Sequence, residues 1–306
     1  MKFLLLMIFC FTLFLNANEP ITPIPSSIPY DKDKALLGKK LFFDTILSKD
    51  RTLSCATCHS FLHGGADGKV VSTGVNNHQG SLNSPTVFNA VFNFSQFWNG
   101  RAKNLTEQAL GPIHNPIEMG LSLDEAVERL QNDATYQEAF FAITKRTIIT
   151  QDDLAQMIAE FEKTLITPNA KFDRYLLGKE KLSDEELKGY TLFKTLGCVM
   201  CHNGINIGGN SYQKLGAIIP MERKDAIDDR YALTNRESDK NVFKVPTLRN
   251  IALTPPYFHD GKVATLREAI TKMLYHNLGV NLSEETADAL VAFMQTLTGD
   301  IPDIDK

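Results

Sequence analysis

The sequence predicts a mainly α-helical chain made of two similar units. Apolar residues recur at helical spacing in segment after segment, and no convincing set of alternating strands appears. One compound pattern also occurs twice: G-x-x-L-F, then C-x-x-C-H a short way on. The chain has 306 residues, 43% of them hydrophobic, with a formal net charge of -4. That supports a sizeable core and about two domains, and it excludes disorder. Acidic and basic residues are mixed and no long basic run occurs, so nucleic acid is not an expected partner.

The chain opens with MKFLLLMIFCFTLFLNANEP. One Lys precedes an apolar run from Phe3 to Leu15, and small and polar residues follow. This is the pattern of a secretory signal peptide, residues 1–17, cleaved near Ala17-Asn18. An uncleaved anchor is the alternative, but the run is short of the roughly twenty apolar residues that span a bilayer. Export to the periplasm is the expectation. Cys10 would leave with the signal, so all four cysteines of the mature chain lie in the two CxxCH motifs.

Residues 18–30 are Pro-rich and read as an extended arm. DKALLGKKLFF follows, with Leu36, Leu37 and Leu41 at helical spacing. Ser122 with Glu125 forms a capping-box pattern, as do Ser183 with Glu186 and Thr265 with Glu268. Thr150 is the expected N-cap of a helix with a Leu154, Ile158, Phe161 and Leu165 stripe. Ala287, Leu290, Val291, Met294 and Leu297 share one face of the last helix. These stripes are read as core faces. GKKLFF from Gly38 precedes Cys55–His59, and GYTLFK from Gly189 precedes Cys198–His202. The charged stretch near 178–183 is the expected boundary, giving domains 18–178 and 179–306.

Two cysteines at i and i+3 lie on the same side of a helical turn. They match the two vinyl groups on neighbouring haem pyrroles, and the next residue, a His, reaches the iron. The spacing and order are those of c-type haem attachment. A zinc site made of two CxxC pairs would have them about 15–20 residues apart, and a thioredoxin-like CxxC would sit in a βαβ unit. Neither context is present. The expected cofactors are two covalent haem c groups, on Cys55, Cys58 and His59 and on Cys198, Cys201 and His202. For a sixth ligand in the second unit, Met221, Met273, Met294, His259 and His276 are all available.

With FWNGRAKNLTEQALGPIHNPIEMG, SPTVFNAVFN and PTLRNIALTPPYFHDG added to the paired CxxCH, the chain closely resembles bacterial dihaem cytochrome c peroxidase from about Asp33 to about Thr298. The resemblance implies two cytochrome c-like helical domains, each around one covalent c-type haem. The N-terminal haem would be peroxidatic, and the C-terminal one would receive electrons from a small soluble cytochrome c or cupredoxin. Hydrogen peroxide would be the substrate and a homodimer the usual assembly.

By the same resemblance, Glu118 is the distal acid/base, Gln108 the amide that positions peroxide and Trp98 the aromatic between the haems. His59 and His202 are proximal ligands, and Met273 is the axial Met of the second haem. A calcium ion between the domains would be held by Asn83 and the carbonyls of Thr254 and Pro256. One departure stands out. Many members carry a His in the loop after the first haem that caps the peroxidatic iron at rest, and Val75 stands at that place here. His78, three residues on, is either that ligand or a solvated loop residue; His63 is read as solvated.

Two other functions are weighed. A pure electron carrier would have two closed haems and no use for Glu118 and Gln108. A related dihaem enzyme that modifies tryptophan in a partner has Tyr as the second haem's axial ligand, and Met273 speaks against it.

Overall fold

The computed structural model describes residues 19–222 and 227–303. The expected signal segment lies outside them. No helix among the described residues is long and apolar enough to cross a membrane.

The fold is mainly helical. Its α-helices are α1 (Lys32–Phe43), α2 (Cys55–Cys58), α3 (Leu105–His114), α4 (Leu123–Gln131), α5 (Ala134–Thr144) and α6 (Gln151–Lys163) in the first half. They continue with α7 (Lys171–Leu176), α8 (Asp184–Thr195), α9 (Tyr231–Thr234), α10 (Leu266–Met273) and α11 (Glu284–Gln295). Two three-residue strands, β1 (Tyr212–Lys214) and β2 (Val242–Lys244), pair antiparallel with Gln213 opposite Phe243. The predicted caps form. The side chains of Ser122, Thr150, Ser183 and Thr265 each accept a bond from the backbone N–H three residues on, and Thr150 and Ser183 close full capping boxes.

The two halves repeat one helix pair. α1 crosses α6 at Gly38, where a Cβ would stand 1.8 Å from the Met157 carbonyl oxygen. α8 crosses α11 at Gly189, where a Cβ would stand 1.9 Å from the Ala289 carbonyl oxygen. The glycine of each G-x-x-L-F pattern is thus the point of closest helix approach. The phenylalanine of each meets an aromatic on the partner helix, Phe42 on Phe161 and Phe193 on Phe293, both at 5.1 Å between ring centroids. Leu37 and Leu41 are buried as expected, but Leu36 is 53% exposed. It lies one residue, about 100° of helix, off the stripe that faces α6.

The first core gathers Leu41, Leu47, Tyr136, Phe140, Leu154 and Ile158. The second gathers Tyr190, Phe193, Leu290 and Phe293, together with Ile21 from the N-terminal arm and Phe172 from α7. Both of those residues precede the expected 178/179 division. The packed unit and the sequence interval therefore differ, because the arm and α7 fold back onto the second half.

Candidate active site

Each CxxCH forms a short turn that leads into its histidine. The four thiols are unpaired with one another. Burial pushes Cys55 up to about 12 and Cys198 up to about 11, so all four are neutral thiols rather than metal-binding thiolates. No cluster of three or more His, Cys, Asp or Glu suited to a metal ion occurs among the described residues.

The two histidines are set alike at Nδ1. His59 Nδ1 lies 3.1 Å from the Gly65 carbonyl oxygen, and His202 Nδ1 lies 3.4 Å from that of Ile207. A carbonyl accepts only, so it fixes the proton on Nδ1 and leaves Nε2 with its lone pair. Burial lowers both imidazoles, His202 to about 4, which keeps them neutral. Both rings line a single large cavity running between the halves.

The same cavity is lined by Asn83, Trp98, Gln108, Cys198, Cys201, Thr254, Pro256 and Met273. Trp98 is fixed at the junction of the halves. Its Nε1 donates to the Asn83 carbonyl at 2.8 Å, its carbonyl accepts from the Lys244 N–H at 2.7 Å, and its ring meets Phe243 and His259 edge-on. The Asn83 Nδ2 donates to the Lys69 carbonyl at 2.7 Å, which turns its Oδ1 into the remaining acceptor.

Glu118 is half-buried just after α3 and is not part of that lining. It is close enough to Cys58 for its charge to act on that thiol. Burial raises its carboxyl above the usual range, against the opposing pull of a 2.7 Å bond from Asn115 Nδ2 and the nearby Arg101 cation. Arg101 is anchored by Asp228 at 3.2 Å and stacks 3.4 Å over the Phe97 ring, itself a cavity wall.

The loop carrying Val75 docks on this segment. The Val75 N–H donates to the Glu118 carbonyl at 2.8 Å, and Gly74 passes so close to Ile117 that a Cβ would stand 2.0 Å from its carbonyl oxygen. Val75 is buried against Gly120. His78 is exposed at the end of the turn and does not line the cavity; His63 is exposed as well.

A longer repeat links the halves than G-x-x-L-F and CxxCH alone. Pro85-Thr86-Val87-Phe88-Asn89 matches Pro246-Thr247-Leu248-Arg249-Asn250. Thr86 and Thr247 each accept the N–H two residues on, at 3.0 Å, and Asn89 and Asn250 both adopt the left-handed conformation before a 3-10 turn. In the same register Phe97 matches Phe258, both at positive φ, and Leu105 at the start of α3 matches Leu266 at the start of α10. Trp98 then answers His259, and Pro112 stands where the second half has Met273. The doubled P-T-x-x-N was the visible signal for this extension; the side chains around it have diverged.

Comparison with known proteins agrees with the doubled architecture. Residues 32–181 match the di-haem cytochrome c peroxidase family model, and residues 186–298 match that of cytochrome c. The cytochrome c551 peroxidase of Nitrosomonas europaea is 48% identical over 94% of this chain and 87% of its own length. The chain belongs to the bacterial dihaem cytochrome c peroxidases. The cytochrome c peroxidase Ccp of Escherichia coli is 45% identical over 93% of this chain, which spans 62% of that longer protein. A crystal structure of a MauG-like protein associated with microbial copper homeostasis superposes with a TM-score of 0.80 at 27% identity, over 94% of this chain and 95% of that one.

The residues present fit the family's two haems. Each half of this peroxidase-family chain offers a neutral CxxC pair, a histidine with Nε2 available and a largely apolar wall in one shared cavity. On the second half Met273 lines that cavity with His202.

Proposed function

We propose that the chain is a periplasmic peroxidase that reduces hydrogen peroxide to two waters with two electrons and two protons. A small soluble cytochrome c or cupredoxin supplies the electrons, and the protein acts as a homodimer. Cys55, Cys58 and His59 hold the peroxidatic haem c; Cys198, Cys201, His202 and Met273 hold the electron-receiving one. When bound, the haems would supply the redox equivalents and the iron at which peroxide is reduced. The observation that carries the reading is the register of α3 against α10: Pro112, with no ligating atom in its side chain, stands where the second half has Met273. A carrier with two closed haems would not be built this way, nor would it need Gln108 in the cavity and Glu118 beside it.

Glu118 moves the proton. Burial raises its proton affinity, and Asn115 holds one of its oxygens, so the other oxygen of the ionised carboxylate takes a proton from one peroxide oxygen and returns it to the other. The Gln108 amide orients the bound molecule. Trp98 joins the two halves at the point where electrons must cross. Glu118→Gln keeps the size and the bond from Asn115 but cannot shuttle a proton. We expect turnover to fall by about 10²-fold or more with both haems still attached by pyridine haemochrome assay. Near-normal turnover would remove Glu118 from the acid/base role.

No histidine of the loop around Val75 is read as holding the first haem. Val75 is buried at the position of the expected capping His, and His78 is exposed. Peroxide should therefore react with the fully oxidised enzyme without prior reduction. A resting spectrum showing a bis-His first haem, lost in His78→Ala, would overturn this. Asn83 Oδ1 and the carbonyls of Thr254 and Pro256, oxygen donors of three residues in the cavity lining, are the proposed calcium ligands. Chelator-treated protein should unfold at lower temperature than protein resupplied with calcium.

A further inference from the structure

Lys244 ends β2 and lines the cavity between the halves. It is 7% exposed, and its ammonium makes no hydrogen bond or ion pair among the described residues. Burial lowers it to about 8, and no neighbouring anion offsets that effect. The Lys is held in place from both sides. Its backbone N–H donates to the Trp98 carbonyl in the first half, and Lys244 pairs with Tyr212 across the strands of the second. Phe243 before it stacks on His259 at 4.4 Å, so the residue cannot easily swing out to water.

A buried ammonium without an anion is unfavourable, and such a group normally has one. The acidic side chain among the described residues of the cavity lining does not provide it. Glu162, also in the lining, is 5% exposed and pushed up to about 8, hence neutral at pH 7. Burial is the cause of both shifts. The missing anion must arrive with whatever fills the cavity. Haem c keeps two propionate carboxylates after its vinyl groups are used in thioether bonds.

We propose that Lys244 is the counter-ion of a haem propionate in this cavity, a positioning residue that fixes the carboxylate at the junction of the halves and raises the reduction potential of that haem. The proposal rests on the dihaem reading. A cation beside the propionate favours the ferrous state, whose net charge is one unit more negative than the ferric state.

The test is spectroelectrochemical titration of both haems in the full-length holoprotein, comparing wild type with Lys244→Met, Lys244→Gln and Lys244→Arg. Haem content is counted first by pyridine haemochrome assay. Two haems per chain in the wild type upholds the dihaem reading; fewer would remove it and the proposal together. With two haems present, we expect the charge-free variants to lower the reduced-to-oxidised ratio of one haem, at fixed applied potential, by on the order of ten-fold. Lys244→Arg should stay within about two-fold of wild type. The haem that responds is the one whose propionate Lys244 meets. If Lys244→Met does not take up both haems, Lys244→Gln, which keeps a polar head, supplies the measurement. Potentials of both haems unchanged in the charge-free variants overturn the proposal, as does an equal shift in Lys244→Arg, which would indicate packing rather than charge.

Discussion

Glu162 is a carboxyl enclosed on α6, and burial alone lifts it from 4.5 to about 8. Between those values the folded chain keeps a proton that the unfolded chain has lost. Stability contributed by this group therefore falls as pH rises from about 4.5 and levels off above about 8, by at most ~1.4 kcal/mol per pH unit. Glu162→Gln should flatten that slope, raising the melting temperature at pH 8 more than at pH 5 in scans of the holoprotein. An equal change at both pH values would mean that the carboxyl is already ionised when the cavity is filled. The sequence offered a faint signal here. Glu162 falls four residues after Ile158, on the apolar stripe that Leu154, Ile158 and Leu165 define, where a charged residue is out of place. The cysteines and histidines of CxxCH were legible because spacing and chemistry coincide in five residues. Lys244 was not, since burial of an isolated Lys in a three-residue strand depends on contacts from the other half of the chain.

Helix pairs were legible as pairs only in hindsight. Capping residues and stripes gave α4, α6, α8, α10 and α11, and the repeat gave α1 and α8 as equivalents. What the pattern could not say is that its glycine marks a crossing. Gly38 and Gly189 each bring a backbone carbonyl of the partner helix into the space a methyl group would fill. Alanine is the better helix former by about 1 kcal/mol, so propensity alone predicts stabilisation on Gly→Ala substitution. The overlap should reverse the sign, because α1 and α6, or α8 and α11, must move apart and uncover Phe42 and Phe161 or Phe193 and Phe293. We expect a net loss of about 1–3 kcal/mol for Gly38→Ala and for Gly189→Ala by denaturant unfolding. A gain at either position would mean that the helices separate at little cost.

At the scale of the molecule, the second half is completed by chain from before the first. Ile21 and Ile24 of the arm are 2% and 5% exposed, and the arm exchanges backbone bonds with Gly204 on both sides, Thr22 N–H to its carbonyl and its N–H to Pro20. Arg249, 1% exposed, ties the arm in. Its guanidinium donates to Asp173 on α7 at 2.6 Å, to the Thr22 carbonyl at 2.9 Å and to the Ile205 carbonyl at 3.0 Å, beside the second CxxCH. Burial outweighs the cation at Asp173 and raises its carboxyl, so the pair is held by geometry rather than by surplus electrostatic energy. A Pro-rich arm gave no hint of this, because its partners lie in sequence beyond the expected 178/179 division. Removing residues 19–24 should therefore weaken the C-terminal half, not the N-terminal one. Each buried Ile contributes roughly 1.5–3 kcal/mol, and the Arg249 head loses one acceptor. Asp173→Ala should act on the same half by about 3–5 kcal/mol, since it strands a buried guanidinium, whereas Asp173→Leu combined with Arg249→Met should cost less than the two single changes added together. Denaturant titration followed at the absorption of the haem proposed for His202 and Met273 separates the halves. Earlier loss of that signal, with the first haem's spectrum kept, is the expected result. Loss of both together would mean that the halves unfold as one cooperative unit, bound through the buried Asn89, Thr167 and Asn250 bonds that cross between them.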